Sequence, residues 1–316
     1  MRALQVPTFG DPNVLTLTDL PDPEAGAGEI VVEIKAVGVN PVDTYLRSGG
    51  YPSLPDLPYV PHGDAAGVVA ELGEGVESVA VGDRVFVSGT TSGRLAGAAA
   101  EFATCHAADV FPLPDGVGFE QGAAVNVPYA TAFRALIDHA KLKPSDRLLV
   151  HGGSGGVGLA AIQIAKAHGV TTYATAGTDA GRELCREHGA AVAVGHDELG
   201  ELPEPPTVIL EMLANVSLPA ALAAIAPGGR VVVVGSRGEV AIDPRVLMTK
   251  HPILTGMNLY DGGAAAVRRA LTAVSTGLSR GDLSPVIADT YPLHEAAAAH
   301  EAVMRDGKRG QVVLTI

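Results

Sequence analysis

The run HGGSGGVG at 151–158 constrains the chain more than any other stretch. Before it lies a short apolar segment, DRLLVH at 146–151. After it comes LAAIQIAKAH at 159–168, with the periodicity and composition of a helix. Within the run, Gly153, Gly155 and Gly158 take the spacing G-x-G-x-x-G. With 39 glycines in 316 residues that spacing arises easily by chance, but not between a strand and a helix. There the first glycine permits a tight turn, the second lets backbone approach a pyrophosphate, and the third lets helix and strand pack closely. The N–H groups that open the helix then face the phosphates. A dinucleotide held on a βαβ unit is the expectation.

The downstream sequence extends that frame. A strand pattern at 170–176 is followed by a helix pattern at 180–188, an apolar strand at 207–210, a helix at 217–225 and the strand RVVVV at 230–234. Strands alternating with helices predict a parallel, doubly wound sheet. The upstream third differs. Its runs IVVEIKAVGV at 30–39, AGVVAEL at 66–72 and DRVFVS at 83–88 have valine and isoleucine at strand density. Turn clusters such as PDPEAGAGE at 21–29 and LGEGVES at 72–78 separate them, which predicts a mostly β domain. After about Tyr260 come a helix, the segment TYPLHEAAAAHEAVM at 290–304 and a terminal strand, QVVLTI at 311–316.

Charge and cysteines exclude several classes. The formal net charge is −13, which repels phosphate backbones and anionic lipid, so neither nucleic acid nor a membrane is an expected partner. The two cysteines, Cys105 and Cys185, form no CxxC pair, so neither a disulfide framework nor a thiolate zinc site is supported. Residues 1–10 show no basic segment followed by an apolar run. The apolar stretches fall short of the roughly 20 residues that span a bilayer. A cytoplasmic location is expected.

Which nicotinamide cofactor binds depends on the end of the second strand. NAD sites normally present an acidic side chain there, roughly 20 residues beyond the glycines. This chain reads YATAGTDAGR at 173–182, with Ala176 and Gly177 at the strand end, a hydroxyl at Thr178 and a guanidinium at Arg182. That favours NADPH. Asp179 is the opposing signal: it faces the ribose if the loop is a residue or two longer, and otherwise reads as a helix N-cap.

Three stretches then carry a resemblance: GVNPVDTYLRSGGYP at 38–52, LLVHGGSGGVGLAA at 148–161 and IAPGGRVVVVGSRG at 225–238. PYATAFRAL at 128–136, EMLANVSL at 211–218 and YPLHEAAAAHEAVM at 291–304 add to it. Together they resemble the medium-chain dehydrogenase/reductase superfamily, and within it the zeta-crystallin type of quinone oxidoreductase. The resemblance runs end to end without a large insertion. It implies an α/β fold: a GroES-like β domain from 1–122 and 261–316, and a Rossmann doubly wound parallel-sheet domain from 123–260, with the site in the cleft between. One departure is visible. The family usually has Pro-Gly-x-Asp in the early loop; here Pro61-His62-Gly63-Asp64 displaces the glycine by one, leaving His62 to face the cleft or solvent.

Zinc-dependent members of the superfamily use a cysteine where Asn40 stands and a His-Glu pair from which His62 and Asp64 are offset. The four-cysteine structural lobe is missing as well. Catalytic zinc needs three protein ligands around an open position, so no metal is expected. Without a Lewis acid a simple ketone is hard to polarise. A quinone or enone needs less help, and hydride transfer then rests on orientation and excluded water.

The resemblance places Asn40, Tyr45 and Tyr51 in the substrate pocket, where an amide and two hydroxyls orient a carbonyl and a ring stacks on a planar acceptor. Both tyrosines also read as packing residues. Asp64 belongs to the same motif, or stabilises its turn. Thr131 matches a residue near the nicotinamide carboxamide. Gly155, Gly156 and Val157 would lie under the pyrophosphate. Gly177, Thr178, Arg182 and His196 would surround the 2′-phosphate, and Asn215 would touch the nicotinamide ribose. Gly235, Ser236 and Arg237 end a strand at the carboxyl edge, where such sheets bind ligands, and Arg309 in GKRGQ would reach a phosphate. The expected activity is reduction of a quinone by NADPH. Reduction of another activated alkene (enal, enone or enoyl thioester) and a non-enzymatic NADPH-binding role remain as alternatives. A homo-oligomer, a two-fold dimer or a tetramer built from it, is expected through VVVVG at 231–235 and PILTGMNLY at 252–260.

Overall fold

Valine, isoleucine and alanine fill most positions of 29–39, and that segment becomes a central strand, with its polar residues Glu29, Glu33 and Lys35 confined to one half-buried face. The protein is described here by a computed structural model covering residues 1–89 and 97–316. It divides into two compact units. Unit 1 comprises Met1–Val127, Leu271–Arg305 and Gly310–Ile316; unit 2 comprises Pro128–Ala270 and Asp306–Arg309.

Unit 1 opens with the antiparallel pair β1 (Arg2–Gln5) and β2 (Thr16–Asp19). There follow β3 (Glu29–Val39), helix α1 (Pro41–Ser48), β4 (Asp64–Leu72), β5 (Arg84–Ser88), β6 (Phe102–His106), β7 (Val110–Pro112) and the short helix α2 (Phe119–Ala123). Helix α3 (Asn126–Phe133) leads into unit 2. There the elements are β8 (Arg147–Val150), α4 (Gly156–Ala167), β9 (Thr171–Thr175), α5 (Asp179–Glu187), β10 (Val192–Val194), β11 (Val208–Glu211), α6 (Ala214–Ala224), β12 (Arg230–Val233), α7 (Pro244–Lys250) and β13 (Ile253–Gly256). Helix α8 (Gly263–Arg280) carries the chain back, and β14 (Ile287–Pro292), α9 (Ala296–Ala302) and β15 (Gln311–Thr315) rejoin unit 1.

The sheet of unit 1 runs β14-β15-β3-β4-β5-β7, with β6 also paired to β3. Its β3–β4, β4–β5 and β15–β3 pairings are antiparallel. Val32, Ile34, Val37, Val85 and Val312 pack there against Ala299 and Val303 of the C-terminal segment.

The sheet of unit 2 is parallel throughout, in the order β10-β9-β8-β11-β12-β13. Sequence order reverses between β8 and β11, and ligands of such sheets sit outside the carboxyl ends of the strands at that switch point. Leu149, Ile209 and Val231 of adjacent strands form its core with Leu218, Leu222 and Ile225 of α6 and the residue after it.

Two local readings change. The helix after the glycines begins at Gly156 rather than 159, because the motif's last three residues, Gly156, Val157 and Gly158, already take helical geometry in its first turn. The N-cap of α5 is Thr178, whose Oγ1 accepts the Gly181 N–H at 3.0 Å; Asp179 is the first helical residue and not the cap. The outer strands of the sheet are β10 and β13, and among the described residues β13 pairs only with β12; β12 itself is interior.

Candidate active site

The glycine loop of unit 2 separates packing from ligand demands. A Cβ at Gly158 would lie 2.4 Å from the Gly152 carbonyl oxygen, and one at Gly153 would lie 2.8 Å from the Ala174 Cβ. Both glycines are therefore required by the protein's own contacts. A Cβ at Gly155 would meet only the Gly152 oxygen, at 3.6 Å. Nothing among the described residues requires a glycine there. Gly156 and Val157 follow in the first turn of α4, whose leading N–H groups have no intrahelical acceptor.

The other expected cofactor residues lie beyond the carboxyl ends of neighbouring strands. Gly177, Thr178 and Arg182 follow β9, His196 follows β10, Asn215 opens α6 after β11, and Gly235, Ser236 and Arg237 follow β12. Asn215 Oδ1 accepts the Arg237 N–H at 2.8 Å and the Ser236 hydroxyl at 3.4 Å. Arg182 donates to the Ala176 carbonyl at 3.3 Å and pairs with Asp179, its neighbour one turn earlier. The carboxylate that argued for NAD is thus paired to the guanidinium that argued for NADPH. Thr131 is buried in α3. Arg309 is exposed in the segment 306–309, which belongs to unit 2 although both its flanks belong to unit 1. The Ser154 hydroxyl donates to the Lys308 carbonyl at 3.2 Å, tying that segment to the glycine loop. Burial and the nearby Arg237 push the Lys308 ammonium down to about 8.

His196 is exposed, and its Nδ1 lies 2.9 Å from Thr175 Oγ1. That oxygen also accepts the Gly152 N–H at 3.2 Å. A Cβ at Gly177 would meet His196 Nε2 at 3.5 Å.

The switch point itself holds a pair that sequence reasoning did not find. Glu211 ends β11 with no exposure, and its Oε1 accepts the Leu213 N–H at 2.9 Å and the Ser217 hydroxyl at 2.6 Å. His151, just past β8, puts Nδ1 3.4 Å from Glu211 Oε2. Burial lowers the His151 pKa, against the pull of Glu211 and together with the repulsion of His196. Both residues stand beside motif glycines or in EMLAN, but only the fold shows that they meet.

In unit 1, Asn40 and Asp64 come together at 2.9 Å, Asn40 Nδ2 donating to Asp64 Oδ2. Asp64 also accepts from Asn126 Nδ2 at 2.8 Å and from the Val127 N–H at 3.0 Å. Gln311 Nε2 donates to Asn40 Oδ1 at 2.7 Å. Asp64 is wholly buried, and burial raises its carboxyl to about 7 against the lowering effect of Asn40, Val127 and Asn126. With no exposed atom, it is the least available of the four residues expected at the substrate. Tyr45 on α1 and Tyr51 just after it are both half-buried. Asn126 and Gln311 carried no signal in the sequence beyond being polar residues among apolar ones.

His62 does not face solvent. Its φ is 69°, its side chain is fully buried, and Nδ1 lies 3.1 Å from Asp43 Oδ2. Among the described residues, no three His, Cys, Asp or Glu side chains converge as metal ligands.

Comparison with known proteins agrees with this architecture. Residues 26–115 match the alcohol dehydrogenase GroES-like domain, and residues 156–276 match the family described as zinc-binding dehydrogenase. Quinone oxidoreductase of Homo sapiens is 41% identical over 326 residues, covering 100% of this chain and 98% of the human protein. The crystal structure of Escherichia coli quinone oxidoreductase complexed with NADPH superposes with a TM-score of 0.85 at 27% identity, covering 100% of both chains. An NAD-dependent alcohol dehydrogenase superposes with a TM-score of 0.93, also at 27% identity, covering 100% of both chains. The fold is therefore shared with enzymes of either cofactor, whereas the full-length sequence identity is specific: the chain belongs to the zeta-crystallin-type quinone oxidoreductase family of the medium-chain dehydrogenase/reductase superfamily.

Proposed function

We propose that the protein transfers hydride from NADPH to a quinone without a catalytic metal. The observation that carries the cofactor reading is Gly155: a glycine where the chain itself leaves room for a side chain, at the mouth of a helix on the switch point of a parallel sheet. Close approach of a pyrophosphate accounts for it. The acceptor follows from the family, whose human member is a quinone oxidoreductase.

When bound, the reduced nicotinamide supplies the hydride. The chain's residues bind and orient. Gly155, Gly156 and Val157 cradle the pyrophosphate, with Asn215, Gly235, Ser236 and Arg237 at the adjoining strand ends and Thr131 at the carboxamide. Gly177, Thr178, Arg182 and His196 surround the 2′-phosphate, and Arg309 reaches a phosphate. Asn40 has one amide hydrogen left after Asp64, and Tyr45 and Tyr51 add hydroxyls and a ring face; these orient the acceptor carbonyl. Asp64 acts through Asn40. The reading without zinc is supported by the partners of the candidate ligands among the described residues: the His62 ring contacts Asp43 and His300, and Asn40 Oδ1 accepts from Gln311. The domain limits 1–122 with 261–316, and 123–260, remain our division of labour between acceptor and cofactor.

The protein is also proposed to assemble as a homo-oligomer, most simply a two-fold dimer. Strand β13 leaves one backbone edge unpaired and exposes Ile253 at 59% and Leu254 at 39%. No described helix is long and apolar enough to cross a membrane, and we place the reaction in the cytoplasm.

The test is NADPH oxidation against quinones, enals and enoyl thioesters. Quinones should react fastest; turnover confined to the thioesters would replace the substrate. NADPH should bind at least about tenfold tighter than NADH, and Arg182→Ala should remove most of that margin. Elemental analysis should find no stoichiometric zinc. Light scattering that gives a 32.1 kDa particle would refute the oligomer.

A further inference from the structure

Backbone hydrogen bonds close the turn around His62. The Pro61 carbonyl accepts the Ala99 N–H at 3.2 Å, the His62 carbonyl accepts the Ala98 N–H at 2.9 Å, and the Gly63 carbonyl accepts the Gly89 N–H at 2.9 Å. A glycine at 62 would form that turn without strain. Instead a residue with a Cβ occupies the left-handed region at φ 69°, while Gly63 beside it does not. A disfavoured backbone of this kind persists only where the surrounding structure enforces it, so its side chain needs a reason.

The side chain lies between two partners. Nδ1 is 3.1 Å from Asp43 Oδ2 on α1, and Nε2 is 3.2 Å from His300 Nε2 on α9. The two rings meet edge to face, with centroids 5.0 Å apart and planes at 72°. Burial, His62 and Arg47 push His300 down to about 2, so its ring is neutral. One ring must donate across the 3.2 Å gap. If His300 Nε2 donates, His62 Nε2 accepts, His62 Nδ1 carries a proton toward Asp43, and His300 Nδ1 is left as a bare lone pair. His62 Nδ1 and His300 Nδ1 are both buried without an aligned hydrogen-bond partner among the described residues, but only His62 Nδ1 has a carboxylate oxygen within 3.1 Å, so the proton belongs on His62 and the lone pair on His300. The charged and titratable groups around this set are Asp43 and Arg47 from α1, Tyr59 from the preceding loop, Asp64 from β4 and His300 from α9, with Asp11 facing Arg47.

Asp43 Oδ2 also accepts the backbone N–H of Asn40, at 2.7 Å. The backbone of Asn40 thus hangs on Asp43, while its amide hangs on Asp64 and Gln311. We propose that His62 is a positioning residue for Asn40: donating from Nδ1, it holds Asp43 against the Asn40 N–H and so fixes the entrance to α1, the helix that also carries Tyr45. The proposal rests on the assignment of Asn40 to the acceptor.

His62→Gly removes the donor and the strain together. Hydrogen exchange of the Asn40 amide should then quicken by about tenfold or more. The kcat for quinone should fall about fivefold or more while NADPH affinity stays within about twofold, since what is lost acts on the acceptor side. His62→Asn tolerates the left-handed backbone and carries an N–H toward Asp43, and it should restore both readings to within about threefold of wild type. A folded glycine variant with unchanged exchange and kcat would overturn the proposal, and so would an asparagine variant no better than glycine. Nitrogen NMR of the wild-type imidazoles needs no variant: His62 should be protonated at Nδ1 and not at Nε2, and the reverse tautomer refutes the relay. If the wild-type enzyme reduces no quinone, the function fails, and the exchange and tautomer readings still decide the role of His62.

Discussion

Each unit buries one carboxylate completely at the end of a central strand, and the two satisfy it differently. Asp64 in unit 1 takes three N–H donors, from Asn40, Asn126 and Val127, all neutral. Glu211 in unit 2 takes one N–H and one hydroxyl, and sets its remaining oxygen 3.4 Å from the His151 ring. Three neutral dipoles give Asp64 good geometry but no opposite charge, so desolvation prevails and its carboxyl rises to about 7. At Glu211 the burial penalty is visible on the partner, whose pKa is lowered. One site stores its strain in the acid and the other in the base. Removing either carboxylate, or moving the pH, should therefore act on the two units in different ways.

The largest difference should appear on truncation. Asp64→Ala leaves three buried N–H groups without acceptors, at about 1–3 kcal/mol each, so a loss of about 5 kcal/mol is expected near pH 5. Glu211→Ala orphans the Leu213 N–H, but Ser217 Oγ can keep its other acceptor, the Leu213 carbonyl at 3.1 Å. About half the loss is expected there. Urea unfolding of both variants measures it, and equal losses would erase the contrast between the two sites.

The pH dependence should split next, and in opposite directions. The folded-state pKa of Asp64 lies above its unfolded value, so its contribution is fully present below about pH 4 and disappears as pH rises through about 7. A rise of that size is worth on the order of 4 kcal/mol. His151 is depressed below its unfolded value, so its contribution is present above about pH 6.5 and is lost as pH falls. Thermal unfolding of Asp64→Asn should flatten the rise-side limb only, and that of His151→Asn the acid limb only. Asp64 has a means of accepting its proton: Asn126 Oδ1 is buried and unpartnered among the described residues, and a flip of that amide would present an oxygen to a protonated carboxyl. A wild-type protein whose stability does not fall between pH 4 and 8 contradicts the Asp64 half.

These two sites were unequally legible beforehand. The strand order of unit 2 could be anticipated because each βαβ step is local: strand, glycine turn and helix succeed one another within a few residues, each with its own period. The residues at the carboxyl ends came with it, since the fold places loop residues of successive strands on one edge. The network at Asp64 could not be read in the same way. Asn126 and Gln311 join it across sequence separations of 62 for Asn126 to Asp64 and 271 for Gln311 to Asn40, and nothing in V-N-V or G-Q-V distinguishes them from surface polar residues. The same holds for His62 and His300, 238 residues apart. Thr178 was placed beside the phosphate, but its capping role went to Asp179, because either residue suits an N-cap and only the backbone decides which one starts the helix.

The smallest expected effects lie in function, and they sharpen the contrast most. Glu211→Gln keeps an acceptor for the Leu213 N–H and the Ser217 hydroxyl, but its amide can present N–H where Oε2 faced His151. The His151 ring must then accept at Nδ1 and move its proton to Nε2. His151 adjoins Gly152, whose N–H leads through Thr175 to His196. A shift there reaches the cofactor residues and no residue assigned to the acceptor. NADPH affinity should weaken about threefold to tenfold, at most about 1.4 kcal/mol, with the KM for quinone unchanged. Asp64→Asn cannot accept three N–H groups with one oxygen, so it releases Asn40 or Val127. It should lower kcat more than Glu211→Gln does and leave NADPH affinity within about twofold. Fluorescence titration with NADPH and steady-state kinetics with one quinone separate the two variants. If both constants move together in both variants, the two buried carboxylates serve one common scaffold rather than two distinct functions.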